Sequence, residues 1–354
     1  MERIQNITGK QNILLADCDV KEVQSFADGL SIDAVPFAVK SHISNWKRTG
    51  KASEFKRYAK YFGVGFLYFI NRRKYHIIAG WQQFYALIFC FFCSVFHVKK
   101  CSTVIALNFT YKEKKGIFQK PYRWFMEKCM DSRYLDYLHV PSEEYADMVA
   151  NTFAFPRERV LATHFGVNDR YEMFSRMPAP EGYEKDGYAL AIGRSNRDYD
   201  FLIRAWKDIA YPLVIISDTY KGTAEQNNIS ILRNVAGEES YPWIANCGLM
   251  IIPIDDGAIC SGDTVLLTAM SVQRKILITA PSTLAQMYVK DGENAVISEK
   301  KEAQFKEIVL DMLHAPEWSN LGERARNSFL DHFSRRSMAQ KIGRYLNGTS
   351  ETAE

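Results

Sequence analysis

Residues 261–297, SGDTVLLTAMSVQRKILITAPSTLAQMYVKDGENAVI, hold the side chains best suited to an anionic ligand. Ser261 and Gly262 make a compact turn ahead of an apolar helical run, and Asp263, Thr264 and Thr268 lie at and just inside its start. A helix start presents backbone N–H groups that lack intrahelical partners, which suits phosphates and hydroxyls. A second hydroxyl-rich turn, residues 279–283, ends the next apolar run. Phosphates also call for fixed cations. Arg194 directly follows Gly193, the end of the run YALAIG, and Arg197 comes three residues later. A guanidinium can hold two phosphate oxygens at once. Asn234 and the Tyr241-Pro242-Trp243 step offer amide and ring groups for a nucleobase. Asp17, Asp19, Trp81, Gln82, His164 and Asn168 offer ring faces and paired polar groups of the kind that recognise sugars.

These residues need a frame that brings loop ends together. Apolar runs at 12–16, 32–39, 75–79, 103–107, 138–140 and 159–163 alternate with helical segments. The runs 64–70 and 75–79 each fit a strand or a buried helix, and 40–60 is a basic polar region. Residues 82–96 are long enough for a helix, and 120–133 predict one with Trp124, Phe125 and Met130 on one side. Ser142, after Pro141, is placed to cap the helix that follows. The polar stretch MPAPEGYEKDG, 177–187, reads as a linker. Alternation then restarts with strands at 188–193, 213–217, 229–235, 248–254 and 275–280. Such alternation predicts parallel sheets covered on both faces, with ligands at the carboxyl ends of the strands. The expected class is α/β, with two Rossmann-like doubly wound domains facing a cleft. The expected boundaries are 1–172, a linker 173–186, and 187–330. A terminal helix near 333–346 would pack back on the first domain, followed by a tail.

The segment 261–297 resembles the donor-site signature of the large GT4 family of glycosyltransferases (GT-B fold, glycosyl transferases group 1). That pattern runs roughly G-x-x-x-L-L-E-A-M-A-x-G-K-P-V-I, then a small-residue loop, then D-G-x-N-G. Here stand Gly262, Leu266-Leu267, Ala269-Met270, Lys275-Ile276 and Asp291-Gly292-Glu293-Asn294-Ala295. YALAIGRSNRD resembles the family's first donor-domain strand ending in G-R. HFGVND resembles its N-G-V-D junction, and PWIANCGLMIIP the helix and strand before the signature. Together these cover most of 160–300. The resemblance implies transfer of a hexose from a nucleotide diphosphate sugar, a UDP-sugar, to a glycan or lipid-linked acceptor in surface polysaccharide synthesis. It implies no metal requirement. It makes Gly193, Arg194, Asn234, Tyr241, Ser261, Gly262, Asp263, Thr264 and Thr268 donor-binding residues. Arg194, Arg197, Asn108 and Asp17 become the catalytic candidates, with Arg194 the first of the two cations. The chain departs from the family at three positions where the family has glutamate or histidine. Thr268 stands for one glutamate, Cys260 for the second, with Asp255, Asp256 or Asp263 as substitutes, and Asn108 for a histidine. The family's second cation falls at Asp200, which leaves Arg197 to replace it. The departures keep two alternatives open: an inverting GT-B enzyme with Asp17, Asp19 or His164 as base, and a non-catalytic GT-B subunit.

Composition narrows the classes further. Net charge is +4 and 47% of residues are hydrophobic, enough for large cores. The sequence lacks the basic, aromatic-interleaved motif of a nucleic-acid binder, and no G-x-G-x-x-G opens a helix as a dinucleotide site requires. Seven cysteines, Cys90-x-x-Cys93 among them, lie mostly in apolar segments and predict core thiols in a reducing compartment. Asp17-Cys18-Asp19 spells D-x-D away from the donor half. The amino terminus MERIQNITGKQ shows no apolar signal segment, which predicts a cytoplasmic protein. The 13-residue run 84–96 is too short to span a bilayer. Flanked by Arg72, Arg73, Lys74, Lys99 and Lys100, it is read as core, with docking on an anionic membrane surface as the alternative.

Overall fold

Ile13, Leu14, Leu15 and Ala16 are fully buried, as the residues of a strand covered on both faces must be. They belong to the first strand of a computed structural model that describes residues 9–30, 35–43, 50–235 and 237–347. The chain forms two compact units, residues 1–165 with 335–354, and residues 166–334.

The first unit contains β1 (Gln11–Ala16), α1 (Val20–Gly29), β2 (Phe37–Ser41), α2 (Gly50–Ile70), β3 (Tyr75–Gly80) and α3 (Gln83–Val95). It continues with β4 (Thr103–Ala106), α4 (Gln119–Cys129), β5 (Tyr137–Val140), α5 (Glu143–Phe153) and β6 (Val160–Ala162). Its six strands run parallel in the order β2-β1-β3-β4-β5-β6. Alternate strand residues feed two cores: Ile13 and Leu15 pack with α2, α3, α4 and α5, while Leu14 and Ala16 pack with α1 and the chain's last helix, Arg335–Leu346. Each fully buried Ile or Leu side chain contributes roughly 1.5–3 kcal/mol relative to exposure.

The second unit contains α6 (Tyr171–Phe174), β7 (Ala189–Ile192), α7 (Tyr199–Ala205), β8 (Leu213–Ile216), β9 (Ile229–Leu232) and α8 (Tyr241–Asn246). It continues with β10 (Leu249–Ile252), α9 (Asp263–Ser271), β11 (Lys275–Ala280), α10 (Thr283–Tyr288), β12 (Val296–Glu299), α11 (Glu302–His314) and α12 (Leu321–Ser328). The last helix, Arg335–Leu346, is then α13 and belongs to the first unit. The second sheet is also parallel, in the order β12-β11-β10-β7-β8-β9. In local numbering that is the doubly wound order in which the winding reverses between the first and fourth strands.

Three local readings need correction. Residues 50–70 form one helix rather than a polar region followed by a strand or short helix. Tyr61, Val64 and Tyr68 turn inward at helical spacing, and Gly65 lets α2 lie tight on α3, since a Cβ there would fall 2.6 Å from Ile88 Cγ2. Trp124 is exposed, while Met126 and Cys129 of the same helix face the core. The strand expected at 32–39 is β2, Phe37–Ser41, and its first residues lie outside the described ones. Helix α3 is core: residues 85–90 are buried, and all seven cysteines are free. Burial pushes the Cys90 thiol well up and that of Cys93 to about 12.

Candidate functional site

Winding reverses in the second sheet between β7 and β10, and ligands of open α/β sheets sit at the carboxyl ends there. The loop after β7 carries Gly193, Arg194 and Arg197; the loop after β10 carries residues 255–262. Asn196 ties them together. Its Nδ2 donates to the carbonyls of Asp256 (3.0 Å) and Ile259 (3.2 Å), and its Oδ1 accepts from the Asp256 amide at 2.7 Å. Asn196 adopts φ 56°, a left-handed conformation that asparagine tolerates well. A bridge between Arg197 and Ile254 continues the junction.

Arg197 lies between two glycines. A Cβ on Gly193 would fall 2.8 Å from its Nε, and one on Gly262 would fall 2.3 Å from its Nη2. Nη1 donates to the carbonyls of Asn196 (3.1 Å), Ser195 (3.3 Å) and Ser261 (3.4 Å). Nε is buried without a hydrogen-bond partner. Burial pulls the guanidinium below its usual pKa, with Tyr199 and Asp263 opposing. Among the described residues no carboxylate comes within ion-pair distance of it. Gly262, at φ 108°, caps the start of α9, so this poorly compensated cation adjoins a helix amino terminus.

Arg194 behaves differently. Its side chain is 75% exposed and reaches Asp218 only at 3.9 Å. Asp198 and Asp200, the carboxylates nearest to it in sequence, are engaged elsewhere. Asp198 caps α7 through the Phe201 amide (2.9 Å) and pairs with Lys300 (3.1 Å); Asp200 accepts from the Tyr220 hydroxyl (2.5 Å).

The other residues expected to bind a donor divide. Ser261, Gly262, Asp263 and Thr264 cluster at the start of α9, where the Asp263 carboxylate accepts from the Thr264 amide at 2.9 Å. Thr268 is buried one turn further in. Cys260 is exposed, with its Sγ 3.6 Å from Met287 Sδ. Asn234 is exposed at φ 63°, its amide held by Asp218 (3.0 Å). Asp218 therefore joins the Asn234 loop to Arg194. Tyr241 opens α8 against Phe174 (5.0 Å) and beneath the Arg170 guanidinium (4.9 Å). Trp243 packs on Tyr183 and Tyr188 at the amino end of β7, which is the wrong end of the sheet for a base neighbour.

In the first unit the winding reverses between β1 and β3. Asp17 follows β1, and Gln82, after β3, donates to it at 3.3 Å and to the Tyr61 hydroxyl at 3.1 Å. His42, which the sequence did not single out, joins this edge. Its Nε2 meets the Tyr68 hydroxyl at 3.0 Å, its carbonyl accepts from Tyr85 (3.2 Å), and burial lowers its pKa, with Lys60 adding to the shift. Asp19 is spent capping α1 through the Lys21 amide. Trp81 lies against Phe26 and beneath Arg335.

Asn108 adopts φ 53° after β4, and its amide donates to Nδ1 of His139 at 3.1 Å. A ring whose Nδ1 accepts carries its proton on Nε2 when neutral, so Nε2 donates to Thr163 Oγ1 at 2.9 Å. His139 is buried, and desolvation lowers its pKa to about 4. Sequence reading missed it because LHV looks like any short buried strand. His164 and Asn168 lie half-buried after β6, and the His164 carbonyl faces the Thr163 hydroxyl. Among the described residues no group of three or more His, Cys, Asp or Glu is placed to hold a metal.

No family model matches the chain, and no curated protein sequence does. Solved structures match it nearly end to end. A glycosyltransferase from Rickettsia africae ESF-5 does so with TM-score 0.60 at 11% identity, over 96% of this chain and 100% of that one. Anabaena Alr3699/HepE in complex with UDP and glucose gives TM-score 0.56 at 11% identity, over 95% and 99%. Sucrose-phosphate synthase from Thermosynechococcus elongatus gives 0.58 at 12%, over 95% and 98%. At such identities the likeness is one of fold. With two parallel six-stranded sheets flanked by helices, the chain has the GT-B fold, built of two Rossmann-like domains.

Proposed function

We propose that this protein is a hexosyltransferase that moves a sugar from a nucleotide diphosphate sugar, with UDP as the nucleotide, to a glycan or lipid-linked acceptor in the cytoplasm. One observation carries the reading: the Arg197 guanidinium, with a buried, unpartnered Nε, lies between Gly193 and Gly262 at the switch point of the second sheet. A buried cation without a carboxylate is costly unless an anion completes it. A diphosphate at the start of α9 would do so, and the helix terminus favours the same charge.

The chemistry follows from charge. As the bond between the anomeric carbon and the β-phosphate oxygen breaks, negative charge grows on the leaving diphosphate. Cations fixed before the reaction stabilise that growth without reorganising. Arg197 is the fixed cation of this reading, and the exposed Arg194 is a second one that swings from Asp218. UDP as the nucleotide is supported by the fold shared with Alr3699/HepE, whose structure holds UDP.

A thermal-shift screen of UDP, GDP, CMP and dTDP tests the reading. A ligand at 100 times its Kd stabilises by about 2.7 kcal/mol, a shift that is easily seen. UDP should give the largest shift, and Arg197→Ala should abolish it. No stabilisation by any of the four would overturn the proposal.

A second reading, inversion at the anomeric carbon, is favoured by Asp17, which Gln82 holds at the switch point of the first sheet. Asp17 would take the acceptor hydroxyl proton. The product anomer, read by NMR, separates inversion from retention.

A further inference from the structure

Helix α2 is apolar on both sides. Its inner side packs on α3, and its solvent side exposes Phe55, Leu67 and Ile70 together with Tyr58, Phe62 and Phe66, whose rings edge onto Phe84, Phe91 and Phe92 of α3. A water-facing helix is expected to be polar on that side. The face continues sideways. Phe62 lies 5.6 Å from Phe125 of α4, and Phe91 of α3 lies 5.8 Å from the exposed Trp124. Just before α4, a 3-10 turn, Gly116–Phe118, presents Ile117 at 85% and Phe118 at 67% exposure. Exposed apolar side chains gathered on neighbouring elements in this way mark a docking site on many proteins.

Charge says what docks. Residues 56–74 carry Lys56, Arg57, Lys60, Arg72, Arg73 and Lys74 and no acid, in a chain whose net charge is only +4. Several cations sit on the aromatic rings themselves: Arg57 over Tyr58 (5.5 Å), Arg72 over Phe69 (5.0 Å) and Lys114 over Tyr122 (5.8 Å). Lys114 and Lys115 immediately precede the Gly116–Phe118 turn. A protein partner of ordinary composition would not ask for this pairing of aromatic and aliphatic side chains with a surrounding excess of lysine and arginine. An anionic bilayer does: tryptophan, tyrosine and phenylalanine settle at the headgroup boundary while cations meet lipid phosphates.

We propose that this face of the first unit, formed by α2, the Gly116–Phe118 turn and α4, docks on the surface of an anionic membrane, with Ile117 and Phe118 entering the headgroup–acyl boundary. The residues concerned differ from those first suspected, because residues 85–90 of α3 are interior, Phe84, Phe91 and Phe92 are half-buried, and Val95 with Phe96 just beyond it is the exposed end. Docking is peripheral. Among the described residues no helix is long and apolar enough to cross a membrane. The proposal does not depend on the donor-site reading, since it concerns binding to lipid without nucleotide.

The test is co-sedimentation of the full chain with vesicles of phosphatidylcholine alone and of phosphatidylcholine mixed with phosphatidylglycerol, at low and high salt. The wild type should pellet with the mixed vesicles at low salt, and high salt should release much of it. An Ile117→Asp/Phe118→Asp variant should partition about tenfold less, and so should Lys114→Glu/Lys115→Glu at low salt. All four positions are exposed, so unchanged circular dichroism and Tm are expected and exclude misfolding. A wild type that stays in the supernatant with anionic vesicles overturns the proposal, as does undiminished pelleting of the Ile117/Phe118 variant. A dimer seen by light scattering and dissolved by that same variant would assign the face to a second copy, and would also overturn it.

Discussion

Gly262 and Arg197 exclude one another's enlargement: a Cβ at residue 262 would stand 2.3 Å from Nη2 of Arg197. The backbone there has φ 108°, where an L side chain is strained by roughly 1–2 kcal/mol. Gly262→Ala should therefore lower Tm by a few degrees and, by displacing the guanidinium, weaken UDP binding about tenfold or more. Gly292→Ala is the control, since its φ is 73° and a Cβ there meets nothing within 4 Å. It should share the loss of Tm and keep the affinity, as calorimetric titration of both variants will show. Equal affinity losses would remove Arg197 from the donor site.

Arg197→Ala is expected to lower kcat/KM by ~10²-fold or more, equivalent to about 3 kcal/mol of transition-state stabilisation. Its Tm without ligand should change little, because the three carbonyl bonds of Nη1 are lost together with a half-buried charge that no carboxylate pairs. Arg194→Ala should cost about tenfold in kcat/KM and little in Tm, since only an exposed contact with Asp218 at 3.9 Å is lost. The opposite pattern, with turnover intact and melting lowered for Arg197→Ala, would make that side chain a structural tie between loops.

Chelation should leave transfer largely intact. In the proposed site the positive charge comes from Arg197, Arg194 and the start of α9. Assays with and without EDTA decide this, and complete loss restored by Mn²⁺ would show that a divalent ion does the arginines' work.

His139 makes stability depend on pH in a definite direction. Its folded pKa is about 4, below the unfolded value near 6.5, so the unfolded chain binds the proton more readily. Stability from this residue is complete above pH 6.5 and declines as pH falls toward 4, by up to about 3 kcal/mol. His139→Asn, whose Oδ1 can still accept from the Asn108 amide, should be less stable at neutral pH but lose less between pH 6.5 and 4. Denaturation midpoints of both proteins across that window will show whether the two slopes differ.

Most strands were legible because parallel sheets buried on both faces need unbroken apolar runs such as KILITA, while YHIIA fitted a buried helix as well as the strand it forms. Helix α2 was not legible. Apolar residues on several sides erase the contrast that reveals helical periodicity, so Phe66 and Ile70, in the run 64–70, fitted a strand as well as a buried helix. Sequence reading put Arg194 ahead of Arg197 as the phosphate cation, because it directly follows Gly193. Which of the two turns inward depends on the left-handed turn at Asn196 and on the space left by Gly193 and Gly262. The Asp17–Gln82 pair joins residues 65 positions apart, which only the strand order β2-β1-β3 brings together.

Asn196 has a consequence for how fast and how tightly a ligand can be taken up. Its three hydrogen bonds to the loop after β10 are made within the folded chain, so the walls around Arg197 are set when the domain folds. The entropic cost of ordering that loop falls on folding and not on association, which would leave the nucleotide of the proposed reaction to lose mainly its own translational and rotational freedom. Affinity and folding stability are thereby linked through one amide side chain: loosening Asn196 would stretch the time to a competent encounter before it altered any atom that touches the ligand.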